Sequence, residues 1–193
     1  MDRRTVLEGS LGAALMGLSL KGLDVQIDAA GQQVGTASSN VLRQDGVRRI
    51  VTANNAQGKS FIVSDERITT GQFPSLFKAT GDNPLGPGAS GEMKTFLPTD
   101  MPQIEPALGG SSFHYVVLPP HRADTKPVWH RTLTLDYNIL LAGELVLMVD
   151  SGEVALHPGD VVVQRNTSHA WRNNSTSQPV QWVAVLVPIR KQA

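Results

Sequence analysis

The reading turns on His130-Arg131-Thr132-Leu133-Thr134-Leu135-Asp136-Tyr137, Leu141-Ala142-Gly143-Glu144, His157-Pro158-Gly159-Asp160 and Val163-Gln164-Arg165-Asn166-Thr167-Ser168-His169-Ala170-Trp171-Arg172-Asn173. These are β-type segments separated by tight turns at Gly143, at Asp150-Ser151-Gly152, at Pro158-Gly159 and at Asn173-Asn174-Ser175. Side chains along a strand alternate between faces. In an unbroken strand His130, Thr132, Thr134 and Asp136 share one face, with Leu133 and Leu135 on the other. His169, Trp171 and Asn173 share a parity on their own strand. If both faces point into one closed barrel, His130, Asp136 and His169 meet there. Two imidazoles and a carboxylate on one face suit a divalent metal such as Zn, Fe, Mn or Ni, with positions left for water or substrate. The same groups suit proton transfer.

Outward from this stretch the β pattern continues. Strands are expected at about 129–136, 138–142, 144–149, 153–157, 160–164, 168–173 and 180–187. Upstream, Arg48 to Ala53 and Ser60 to Ser64 read as two strands joined by a turn carrying Gly58, and Phe113 to Leu118 as another, stopped by Pro119-Pro120. Phe77 to Thr80 reads as a weak strand, and the Pro- and Gly-dense run Gly81 to Gly110 as a long loop over the barrel or its mouth. Many short strands and no helical period after residue 47 give an all-β sandwich or closed barrel. Ile139–Leu141, Leu145–Val149, Val161–Val163 and Val183–Val187 are apolar on both faces. A strand with one wet face alternates, so the outer face needs cover, from the N-terminal strands or from a second subunit in a homodimer.

Bulk composition bounds the partners. The 193 residues suffice for one ordinary domain, and a formal net charge of +0 gives no basic footprint for nucleic acid. With no cysteine, disulfides, thiolate metal sites and cysteine nucleophiles are excluded. No apolar stretch is long enough for stable membrane insertion. Residues 1–37 begin Met1-Asp2-Arg3-Arg4-Thr5-Val6-Leu7-Glu8 and continue with a weakly apolar run from Gly9 to Leu20. That is the plan of an export signal resembling the twin-arginine type, which would place the protein in the periplasm. The same residues also fit an amphipathic helix with Leu7, Leu11, Leu15 and Leu18 on one stripe, in a cytoplasmic protein. Residues 38–46 read as linker and 47–193 as the barrel domain.

The paired motifs resemble those of the cupin superfamily. In the first motif, His130 matches the first His, Thr132 stands where the second His is expected, Asp136 replaces the Glu, and Gly143 matches the final Gly. In the second, Gly159 and Asp160 match the start, Gln164 and Asn166 replace the Pro and Gly, and His169 and Asn173 match the end. The wording looks like one small single-domain cupin subgroup, over about residues 47–188. The resemblance implies a double-stranded β-helix of jelly-roll type. It also implies a small-molecule enzyme working in the barrel interior by proton transfer, decarboxylation or dehydration on an aromatic or enolisable substrate, as a lyase or isomerase. His130 and His169 are the candidate catalytic residues, His130, Asp136 and His169 the candidate metal ligands, and Thr132, Tyr137 and Trp171 the candidate substrate contacts. The rival readings are a non-catalytic small-ligand-binding cupin and a structural cupin with internally satisfied histidines. Arg131 and Arg165 read as surface or interface groups, Glu144 as solvated and His157 as a barrel corner without chemistry.

Overall fold

The computed structural model describes residues 46–69, 75–87, 89 and 92–190, and none of these is helical. Both readings of residues 1–37, and nearly all of the linker, lie outside the described residues. Nine strands follow one another: β1 (Val47–Asn54), β2 (Ser60–Ile68), β3 (Ser112–Leu118), β4 (Thr134–Ala142), β5 (Leu145–Val149), β6 (Gly152–Leu156), β7 (Val161–Arg165), β8 (His169–Asn173) and β9 (Val180–Pro188). They form a six-stranded sheet of order β2-β1-β7-β4-β9-β3 and a three-stranded sheet of order β6-β5-β8. All pairings are antiparallel except β1 with β7. This is the expected all-β jelly-roll architecture, two sheets closed over one core.

The core fixes which residues look inward. Ile50, Leu140, Val162, Trp182, Ala184 and Leu186 of the large sheet pack against Leu145, Leu147 and Val149 of the small one. Period-2 alternation then carries Thr52 and Asn54 inward on β1, Asp136 and Asn138 on β4, and Gln164 on β7. At the β4–β5 turn Gly143 has φ 87°, and a Cβ there would lie 2.9 Å from the Pro179 carbonyl oxygen. That turn is therefore held to glycine by both backbone angle and space.

The outer face of the large sheet divides in two. Around Val51, Leu135, Tyr137 and Val163 it is covered by Phe77, Ala79, Leu85, Ala89 and Met93. The segment around Phe77–Thr80 is irregular chain rather than the weak strand its sequence predicts, and it earns its apolar residues as cover. β1 and β2 extend the sheet instead of lying over it, which corrects the expectation that the N-terminal strands supply that cover. The other half, toward edge strand β3, is open. Phe113, Tyr115, Val117, Ile139 and Leu141 are exposed there, Phe113 by 74%.

Candidate functional site

The expected strand from residue 129 through 136 is interrupted. His130 and Arg131 form isolated bridges, to His169 and Phe96 respectively, and regular β4 starts only at Thr134. The cause is long-range. The Leu133 amide donates to the Glu105 carboxylate, and the Leu133 carbonyl accepts from the Ile189 amide at 3.0 Å. Regular strand pairing is therefore interrupted between His130 and Thr134, although Thr132, Thr134 and Asp136 still share one face as their parity predicts. The polar residues form two groups.

The first is the histidine pair. His130 and His169 exchange both backbone hydrogen bonds, at 2.9 and 3.0 Å, and their ring centroids lie 4.2 Å apart. His130 Nδ1 lies 3.2 Å from the Val128 carbonyl oxygen and His169 Nδ1 2.9 Å from that of Thr167. A carbonyl only accepts, so each Nδ1 carries the proton and each Nε2 is left with its lone pair. Burial lowers both imidazole pKa values, and the neighbouring His130 ring pushes His169 further, well below the ordinary value. Both rings are thus neutral bases at pH 7. The Trp171 ring meets the His169 ring edge-on at 5.6 Å and Trp182 at the same centroid distance. Trp171 stands beside His169, where its parity put it.

The second group surrounds Asp136. Its carboxylate accepts hydrogen bonds from the Thr134 and Thr132 hydroxyls, and the two hydroxyls lie 2.7 Å apart. All three residues are buried. Loss of solvation outweighs these bonds and raises the Asp136 pKa to about 7, with Glu105 adding to the rise. Gln164, directly across from Asp136 on β7, is 1% exposed. Its Oε1 accepts from Asn138 Nδ2 at 3.5 Å, while its buried Nε2 has no partner. Asn138, Gln164 and a third imidazole were missed in the sequence. The third is His114, on the same face of β3 as Val116 and Leu118, with a buried Nε2 that has no partner. Parity within Phe113–Leu118 and within β4 already marked His114 and Asn138.

Several expectations need correction. Tyr137 faces away from the interior and packs edge-on against Phe77 at 6.4 Å, so it is no substrate contact. Thr132 is a buried partner of Asp136. Arg131 and Arg165 are buried, not surface groups. Arg165 donates to the carbonyls of Thr52 at 2.8 Å, Pro87 at 2.6 Å and Leu85 at 3.3 Å, tying the Pro- and Gly-rich segment to the barrel. Asn173 staples a loop through the carbonyls of Leu118, Pro119 and Gln178. Glu144 is exposed and His157 largely so, as expected.

Asn166 is densely connected. It is the one described non-glycine residue with positive φ, at 52°. Its side chain accepts from the Lys94 amide at 3.0 Å and from Arg131 Nη2 at 2.9 Å. It donates to the Lys94 carbonyl at 2.8 Å and to that of Thr132.

Comparison with known proteins places this geometry. The family model described as "Cupin domain" matches residues 114–186. The cupin-domain-containing oxidoreductase virC of Hypocrea virens is 32% identical over 142 residues, 66% of this chain and 69% of that protein. The chain is a cupin. Oryzines biosynthesis cluster protein J of Aspergillus oryzae is 39% identical over 111 residues, 57% of this chain and 55% of its own length. The chain thus spans about half of that relative. A solved cupin protein from Bacteroides fragilis aligns over 52% of this chain and 91% of its own at TM-score 0.37 and 16% identity.

As a cupin, the chain departs from its family where the geometry is most telling. Asn166, standing where the motif glycine is expected, has a left-handed backbone, which asparagine tolerates better than most residues. Thr132, in place of a histidine, serves Asp136 instead of a metal. The fit to a divalent ion follows from the donors. His130 and His169 offer two Nε2 lone pairs, but Asp136 is engaged by hydroxyls and keeps its proton up to about pH 7. Among the described residues no three His, Asp or Glu side chains gather as a metal-holding group. The His130, Asp136 and His169 triad expected from sequence is therefore not assembled as a ligand set.

Proposed function

We propose that the barrel interior is a small-molecule site that moves protons on an aromatic or enolisable substrate. The observation that carries this is the His130–His169 pair: two buried neutral imidazoles in ring contact, each with its Nδ1 proton engaged by a carbonyl. A base must be unprotonated at working pH and held in place, and both conditions are met here. His169 takes the proton, and the His130 ring, in contact with it, keeps its partner's basic nitrogen oriented. Asp136, with a pKa of about 7, supplies an acid that is still partly protonated at neutrality. The unpartnered Gln164 amide offers a donor for a carbonyl or enolate oxygen. Trp171 and Trp182, their planes 45° apart, provide an apolar aromatic wall for a ring.

Proton transfer at carbon is shared by isomerisation and dehydration, as abstraction, and by decarboxylation, as protonation of the enolate left when CO2 departs. The test is hydrogen–deuterium exchange at the acidic carbons of a panel of aryl ketones and aryl β-keto acids in D2O, followed by proton NMR. Exchange faster than in buffer is expected for at least one class. Saturable binding without exchange would favour the ligand-binding reading. A second reading, oxidation, is favoured by virC and by fogC of Aspergillus ruber, both named cupin-domain-containing oxidoreductases. Oxygen consumption in the same assay separates the two.

The same proposal includes a homodimer through the open half of the large sheet. Phe113, Tyr115, Val117, Ile139 and Leu141 form a contiguous apolar strip, with β9 between β3 and β4. Strips of this kind mark interfaces. Light scattering at micromolar concentration is expected to give twice the chain mass, and Phe113→Lys with Ile139→Lys a monomer. A monomeric wild type would remove the strip from consideration as an interface.

A further inference from the structure

A cleft of about 500 Å³ opens beside the histidine pair, lined by Lys59, Lys94, Phe96, Arg131, Asp150 and Ser168 among others. Arg131 and Ser168 are the chain neighbours of His130 and His169, yet neither histidine lines the cleft. Three cations face one carboxylate there. That carboxylate, Asp150, is occupied through Oδ2 by the Ser60 amide at 2.8 Å and hydroxyl at 3.0 Å. Lys94 also faces exposed Glu92 at 3.7 Å.

Arg131 is the decisive group. It is 3% exposed, its Nη2 donates to the Glu92 carbonyl and to Asn166 Oδ1, and its buried Nε has no partner. Among the described residues no carboxylate lies within ion-pairing distance of it. A buried charge is normally paired, because leaving it unpaired is costly. Both of its built contacts are to neutral oxygens, so the positive charge is seated by neutral groups, with Glu92 and Asp150 acting on it only from beyond ion-pairing distance. Phe96, 58% exposed, adds a flat apolar surface at the same cleft.

We propose that this cleft binds the carboxylate of a small molecule with a flat apolar body, Arg131 receiving the anion, Lys59 and Lys94 flanking it and Phe96 stacking on the ring. The site is separate from the barrel interior and does not depend on the proton-transfer reading. Guanidinium suits an oxyanion because it is planar, always charged and weakly hydrated.

The test is calorimetric titration of the full chain with benzoate, with benzamide as the uncharged control and inorganic phosphate as the ring-free one. Benzoate is expected to bind saturably with Kd on the order of 1 mM, and benzamide not at all. Lys59→Ala with Lys94→Ala, both exposed and so tolerated by the fold, is expected to weaken benzoate about tenfold. Arg131→Lys is expected to weaken it further, and Phe96→Ala to weaken benzoate but not phosphate. His169→Ala is expected to leave benzoate affinity unchanged. Equal binding of benzamide, or benzoate binding indifferent to the two lysines, overturns the proposal. So does benzoate binding abolished by His169→Ala and retained without the lysines, which would put the ligand in the barrel.

Discussion

Asp136→Asn is expected to stabilise the fold above pH 7 and to remove the component of its pH dependence in which stability falls as pH rises from 3.8 to about 7. Asp136 has its pKa raised from 3.8 to about 7 by burial. Between those values the native chain holds a proton that the unfolded chain has lost. The contribution is therefore complete below pH 3.8 and is lost as pH rises through 7. A displacement of that size corresponds to on the order of 4 kcal/mol. Asparagine keeps an acceptor for one threonine hydroxyl and offers a donor to the other oxygen, so the buried network survives the change. The histidines act with opposite sign. Their folded pKa values lie below 6.5, so their contribution is present above 6.5 and is lost as pH falls toward the depressed values. Wild type then has maximal stability at an intermediate pH, whereas Asp136→Asn leaves only the histidine limb, rising with pH and levelling off. Urea unfolding midpoints from pH 4.5 to 9 measure both curves. Parallel curves for the two proteins would show that Asp136 titrates normally.

The second large effect is on proton exchange. His169→Ala is expected to lower the exchange rate by roughly a hundred- to ten-thousandfold, the usual contribution of a positioned base. His130→Ala is expected to cost nearly as much, and the double variant little more than either single one, because the two rings act as a unit. Strictly additive losses would mean two independent groups. A His169→Ala protein with undiminished exchange would remove the pair from the chemistry, leaving His114 and Asp136 as the other titratable groups facing inward.

Local chemistry carried most of the fold into the sequence. The strands from β5 to β9 begin and end within a residue or so of their turn signals, because Gly143, Gly152 and Gly159 each adopt positive φ where a strand must reverse. The doubly apolar strands announced a covered outer face, and within the chain this holds for the half around Val163 but not for Ile139 and Leu141, which stay exposed. What escaped were effects set by partners far along the chain. Glu105 captures the Leu133 amide from 28 residues away and breaks a strand whose alternation looks continuous. The Arg165 side chain looks like a surface group until carbonyls from Thr52, Leu85 and Pro87 are brought around it. The histidine pair was legible because His130 and His169 sit at motif positions, whereas Gln164 reads in the sequence only as a departure from a motif proline.

Asn166 gives the irregular segment before β3 a property its secondary structure does not. Lys94 belongs to no strand, and an amide in such chain ordinarily exchanges its hydrogen with water freely. Here that hydrogen is locked to a side chain that is itself 2% exposed and anchored by three further bonds. Releasing it requires the whole Asn166 knot to open, and with it the seat of Arg131. The Lys94 amide is thus a built-in reporter: its exchange rate reads how often the wall between cleft and barrel comes apart, without any probe being introduced.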